Sequence, residues 1–346
     1  MRAFDRLRRF LRRYGAHVVG AVLVVSVLLY VPTGYYVISP GDVRALSASV
    51  AVENASGVKD GEFYLVTVAT RRANALLHIY GLVDPSSVLR PEREMIPPGQ
   101  DEEEYFEESR RMMMESQETA KVVALRRMGY DARLSGSGVR VVGLLPSGAA
   151  SGILAPGDII VAVDGKAVLL ADELIHEMAR YSPGDTVSVE VLRGGERLTL
   201  RTPTGRHPED PERAALGIQI ETFNWHAVVP VGVSIDTGSI SGPSGGLMLS
   251  LEIIRQLNGD ASLLRGSRVA GTGTIAPGGG VGPVGGVTQK VIAAERAGVK
   301  AFLAPRENAA EAMEAARRMT IVPVGTLDDA LDYLVSEGGS LKPAIP

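Results

Sequence analysis

The chain has 346 residues, enough for about two domains with extra segments, and is 45% hydrophobic and 22% charged. Its formal net charge of −4 leaves no basic excess to neutralise phosphates, which excludes nucleic acid as a main partner. No cysteine occurs, so a thiol nucleophile and cysteine metal ligands are excluded, while the compartment stays undecided.

At the N-terminus Arg2, Arg6, Arg8, Arg9, Arg12 and Arg13 face only Asp5, and no charged residue then follows until Asp42. The uncharged stretch AHVVGAVLVVSVLLYVPTGYYVISPG exceeds the roughly 20 residues that cross a hydrocarbon core. This pattern predicts a cytoplasmic basic segment over 1–15 and a transmembrane helix over 16–38, with a lipid bilayer as partner. Tyr14, Tyr30, Tyr35 and Tyr36 sit where interfacial aromatics belong, and the arginines place the later domains outside the cytoplasm. A cleaved signal peptide is the competing reading, but the small-x-small triplet Ala45-Leu46-Ser47 stands far behind the apolar run.

An N-terminal region over 39–129 follows. GEFYLVTVAT (Gly61–Thr70) reads as a strand, RPEREMIPPGQ breaks the chain, and DEEEYFEESRRMMMESQETAKVVALRRMG reads as a dipole-complemented helix, acidic first and basic last. Met112, Met113 and Met114 suit either an adaptable binding surface or packing against the neighbouring domain. From 130 to 204 the pattern is β-rich. It contains GVRVVGLLPSGAAS, LAPGDIIVAVDGKAV, an amphipathic helix LADELIHEMARY and a hairpin turning at Gly194-Gly195. A polar linker covers 205–214. Over 215–338 the strands VPVGVSI, KAFLAP and TIVPV alternate with helices at Leu247–Leu257, Gln289–Ala297 and Glu307–Met319, and a tail spans 339–346. The expected fold class is therefore multidomain α+β: transmembrane helix, β-rich domain, α/β domain.

Two stretches of the last domain carry chemistry. In SISGPSGGLMLSLEII, Ser244 heads a helix between Gly242-Pro243 and Gly245-Gly246. A serine there is either a helix cap or a nucleophile whose developing charge the helix N-terminus favours. The capping-box partner is missing, since Leu247 holds the position of Glu or Gln. In GTGTIAPGGGVGPVGGVTQKVIAAERAGVK, Lys290 follows Gly285-Gly286 in the first turn of a helix, where a cation opposes the dipole. Desolvation and that dipole lower an amine's pKa, and a neutral amine is what a general base requires. Only six of the 36 Lys and Arg residues are lysines, so lysine at this position is not background. An exposed surface lysine is the plain alternative.

Together these residues resemble the proteolytic domain of Lon-type serine peptidases (peptidase family S16). Gly242-Pro243-Ser244-Gly245-Gly246 matches that family's G-P-S-x-G turn, and Pro283-Val284-Gly285-Gly286-Val287-Thr288-Gln289-Lys290 matches its P-[IV]-G-G-x-x-x-K segment. The resemblance implies a Ser244–Lys290 dyad with Thr272, from Thr272-Gly273, as a supporting hydrogen-bonding residue. It departs from the family at Ser241, where an acid is usual, and at Gly245, where alanine is usual. The 130–204 region resembles a bacterial PDZ domain. That implies a groove for C-terminal peptide ligands, with Gly129-Tyr130 as a weak candidate for its carboxylate-binding loop against a simple domain-start turn.

No P-loop motif occurs, Gly165-Lys166 being followed by Ala167, so no ATP-driven motor is expected. Anchor, PDZ unit and Lon-like domain in that order resemble membrane-anchored, PDZ-containing Lon-like proteases. The resemblance implies a cofactor-independent serine endopeptidase acting on protein or peptide substrates, with a hexameric ring as a plausible assembly. Four alternatives compete. His17, His78, His176, His207 and His226 show no metal-binding spacing, so no metal is expected. A Ser-His-Asp triad using His226 and Asp236 lacks a motif. Gly280-Val281-Gly282-Pro283-Val284-Gly285 satisfies G-x-G-x-x-G only formally. The last is a non-catalytic, membrane-tethered PDZ scaffold.

Overall fold

The computed structural model describes residues 17–344 apart from 18, 21, 24, 27, 56–60, 98, 147 and 209. Two compact units result: Met1–Ala120 with Gly232–Pro343, and Lys121–Val231 with Ala344–Pro346. Along the chain, the second is thus an insertion in the first.

The first unit is built on a six-stranded sheet in the order Thr320–Val324, Ala301–Pro305, Ser267–Gly271, Gly61–Asn74, Pro32–Ala45, Val88–Pro91. The first four strands run parallel and the last two antiparallel to their neighbours. Strands buried on both faces read as continuous apolar runs, and all five residues of Ala301–Pro305 are buried. The helix Val287–Arg296 fills the crossover before that strand. Its Val287, Val291 and Ala294 pack with Val66, Ala270 and Phe302 in one cluster, and this fixes the helix carrying Lys290. The helix Gly246–Leu257 is buried from Gly246 to Arg255.

The second unit holds an antiparallel sheet in the order Glu196–Pro203, Thr186–Arg193, Ile159–Val163, Val139–Leu144, Ile218–Thr222. Its core gathers the alternating Val187, Val189 and Val191 with Val139, Val141, Ile160, and with Leu174 and Met178 of the helix Ala171–Met178. The hairpin turns at Gly194-Gly195, both at positive φ, and pairs Arg193 with Glu196.

The chain draws its boundaries differently from the sequence reading. The 39–129 region is not a separate domain: Pro32–Ala45 and Gly61–Asn74 supply the centre of the first unit's sheet. Residues 215–231 belong to the other unit, because Ile218–Thr222 pairs with Val139–Leu144. Both pairings join segments far apart in sequence, which local pattern does not register. The expected transmembrane helix over 16–38 changes at its C-terminal bound. Described residues from 17 to 30 are helical, but a strand begins at Pro32, where proline removes a donor and disfavours α geometry before it. No helix among the described residues is long and apolar enough to cross a membrane. The basic segment 1–15 lies outside the described residues. The tail docks in part, with the Ser340 N–H on the Ser262 carbonyl and the Lys342 N–H on Asn258 Oδ1.

Candidate active site

Gly242, at φ 83°, turns the chain into a single 3-10 turn, Pro243–Gly245, which runs directly into the helix Gly246–Leu257. The turn is pinned from outside: the Gly242 N–H donates to the Ser109 carbonyl, and Ser116 Oγ donates to the Pro243 carbonyl at 3.0 Å. Both serines come from the helix that begins at Glu102, and sequence reading gave them no role. The helix N-cap is Gly245, without a side-chain cap, so Ser244 is not spent on capping.

Gly286 opens the helix Val287–Arg296 in the left-handed region, at φ 68°. A Cβ there would also fall 2.7 Å from Val68 Cγ1, so both backbone and space call for glycine. The helix carries Lys290 inward, to 3% exposure. Lys290 Nζ donates to Ser244 Oγ at 2.9 Å and to Thr272 Oγ1 at 2.9 Å. Thr272 Oγ1 in turn donates to the Ser244 carbonyl at 3.1 Å, and the Gly273 N–H reaches the same oxygen at 2.9 Å. The structure therefore brings Ser244, Lys290 and Thr272 together. Burial pushes the Lys290 amine down from 10.5 to about 8.

Ser244 and Lys290 open on a cleft of about 700 Å³. One wall is the strand Gly61–Asn74, which pairs with Ser267–Gly271 only as far as Leu65. Thr67 to Arg71 then line the cleft. Apolar side chains of Leu65, Phe106, Met113 and Ile240 face it as well. Met113 is buried, whereas Met114 is exposed, so the methionine run does not form one surface.

The other sequence candidates make contacts of their own. His226 Nδ1 is 2.7 Å from the Asn224 carbonyl, and Asp236 accepts from the Gly238 N–H. The formal G-x-G-x-x-G contains the two-residue strand Val281–Gly282, paired antiparallel with Thr274–Ile275, and so does not follow a parallel strand as a dinucleotide loop does. Among the described residues no group of three or more His, Asp or Glu is placed to hold a metal ion. Gly129 and Tyr130 close the preceding helix, their N–H groups donating to the Arg126 and Leu125 carbonyls at 3.0 Å. Those amides are committed, so the pair does not form an open carboxylate nest. One of the two edges of this sheet is Ile218–Thr222, approached through Leu216 and Gly217, the latter at φ 70°. It lies beside the helix Ala171–Met178, whose Ala171 N–H donates to Thr222 Oγ1 at 2.9 Å.

Comparison with known proteins finds two domain models along the chain. Residues 126–204 match the PDZ domain model, and residues 212–337 match the Lon protease (S16) C-terminal proteolytic domain model. The Lon protease of Chloroflexus aggregans is 31% identical over 172 residues, 44% of this chain and 20% of that protein. The Lon protease of Syntrophomonas wolfei is 32% identical over 180 residues, 47% of this chain and 21% of that protein. The chain thus spans about a fifth of the length of the curated relatives it matches. The crystal structure of the PDZ domain of an SdrC-like protein from Listeria monocytogenes is 24% identical, with a TM-score of 0.23, over 24% of this chain and 87% of that one. The chain is thus similar to a PDZ domain and to the S16 proteolytic domain, each over less than half of its length.

Proposed function

We propose that the chain is a membrane-anchored serine endopeptidase that cleaves unfolded or exposed protein segments outside the cytoplasm without ATP, using a Ser244–Lys290 dyad. One observation carries this reading: a lysine amine at 3% exposure stands 2.9 Å from a serine hydroxyl at the mouth of a cleft. Neutral Lys290 takes the Ser244 proton as Oγ attacks the peptide carbonyl carbon. The resulting ammonium gives that proton to the leaving amine as the C–N bond breaks. Water then attacks the acyl-enzyme, losing its proton to Lys290, and Ser244 is regenerated. Thr272 holds the amine and the Ser244 backbone in register, and helix-entrance N–H groups are the natural oxyanion donors, worth roughly 3 kcal/mol each. An extended substrate finds strand-like company along Thr67–Arg71, consistent with an unfolded chain as substrate. The Ile218–Thr222 edge, in place of Gly129-Tyr130, is the site for peptide ends recruited by the PDZ unit. The uncharged run before Asp42 serves as the anchor, and a hexameric ring is the expected assembly.

The pH dependence tests the dyad. Only the neutral amine is active, so kcat/KM for an unfolded substrate rises with pH and levels off above a midpoint of about 8. A profile still climbing to the ordinary lysine value of 10.5 means that Lys290 is not the base.

A further inference from the structure

The helix Ala75–Val83 is composed as a buried helix but lies on the surface. It contains no charged residue, and none occurs from Ala73 to Val83. Its inner side rests on the sheet, where Gly81 lets it approach Leu89 and Val37. Its outer side offers Leu76, Ile79 and Tyr80 about half exposed, with Leu82 at 70% and Val83 at 76%. A contiguous apolar patch of this kind on a water-soluble surface marks an interaction site.

What covers it follows from the neighbouring chain. Asn74, the N-cap of this helix, donates from Nδ2 to the Leu29 carbonyl at 2.8 Å, tying the helix to the end of the apolar 17–31 segment. His78 Nδ1 lies 3.2 Å from Thr33 Oγ1, and its ring stacks edge-on with Tyr35 at 4.8 Å. In the described part of that segment Val22, Leu23, Leu29, Tyr30 and Val31 are also exposed. The two apolar surfaces therefore meet at one place, with Tyr30, Tyr35 and Tyr80 around the junction, the residue type that settles at the headgroup level. Arg71 stands beside Tyr80, exposed and ready for lipid phosphate.

We infer that Ala75–Val83 lies in the headgroup layer of the bilayer that receives the preceding uncharged segment. The inference rests on the proposed membrane anchorage and goes beyond it. Ala69 and Arg71 line both the groove beside this helix and the catalytic cleft. The docked helix thus holds the cleft mouth close to the lipid surface, which selects chain segments emerging from the membrane as substrates.

The test uses the full chain reconstituted into phosphatidylcholine–phosphatidylglycerol vesicles with brominated acyl chains. Leu82→Trp is compared with Met313→Trp, an exposed position at the opposite edge of the sheet, after subtraction of the Trp225 signal. Docking predicts several-fold stronger bromine quenching at position 82 than at 313, with cleavage of a soluble peptide unchanged. Equal quenching in protein that floats with the vesicles overturns the docking and leaves the anchorage standing. Blue-shifted emission without quenching also overturns it, because a protein surface such as a second copy then covers the helix. Protein that does not float removes both readings.

Discussion

Lys290→Met is expected to lower kcat by about 10³-fold or more while making the fold more stable. The activity loss follows from chemistry: methionine fills most of the side chain's space but has no basic lone pair to accept the proton of Ser244, whose hydroxyl stands 2.9 Å from the lysine amine. The stability gain follows from linkage. The folded amine titrates near 8 and the unfolded one near 10.5, so below pH 8 the buried site holds an ammonium that water solvates better. Unfolding takes up protons between those values, so stability rises with pH through that window, and at pH 7 the charge costs about 3 kcal/mol. Methionine removes that cost, less the two hydrogen bonds it gives up. Denaturant unfolding at pH 7 and at pH 10 checks the prediction: the advantage of the variant should shrink at the higher pH. A variant that is inactive and also less stable at pH 7 would assign Lys290 a structural role.

Glu252→Ala is expected to cost about 3–5 kcal/mol of stability. Glu252 is fully buried and grips Arg255 with both carboxylate oxygens, at 2.7 and 2.8 Å. It also accepts from Gln256 Nε2 at 2.8 Å. Gln256 clasps Val50–Val52, donating to the Val50 carbonyl and accepting from the Val52 N–H. Alanine strips the bidentate partner from a guanidinium that is itself buried and loosens the helix that Ser244 heads. The fall appears as a lower denaturation midpoint of the full chain. Converting Glu252 and Arg255 together to leucine should recover most of it. A change below about 1 kcal/mol in the single variant would show that solvent reaches the pair.

Much of the site was legible because its chemistry is local. Gly242-Pro243-Ser244 and Gly285-Gly286 through Lys290 each form one turn and the helix start behind it, so residue spacing alone sets their geometry. Thr272 was legible only through the family likeness, and the structure gives the physical reason for it: a hydroxyl bonded to both dyad residues. Ser109, Ser116 and the cleft wall Thr67–Arg71 were not legible, since they reach the site through packing across more than a hundred residues. The same cause misplaced the domain limits. Gly61–Thr70 was read correctly as a strand, but nothing in its alternation says that its partner is Ser267–Gly271. Ala215–Thr222 falls within the family likeness over 212–337, yet its strand pairs with Val139–Leu144, and that long-range pairing hid the open edge beside Ala171–Met178 and left Gly129-Tyr130 as the substitute. There the local signal, a glycine before an aromatic, was that of a helix end.

The most direct measurement is ATP-free cleavage of casein by the full chain in detergent, wild type against Ser244→Ala. The account predicts fragments from the wild type, none above the uncatalysed background from the variant, and the same unfolding midpoint for both. Fragments from a folded Ser244→Ala protein at the wild-type rate would contradict it, because the hydroxyl that Lys290 holds would then have no part in breaking the bond.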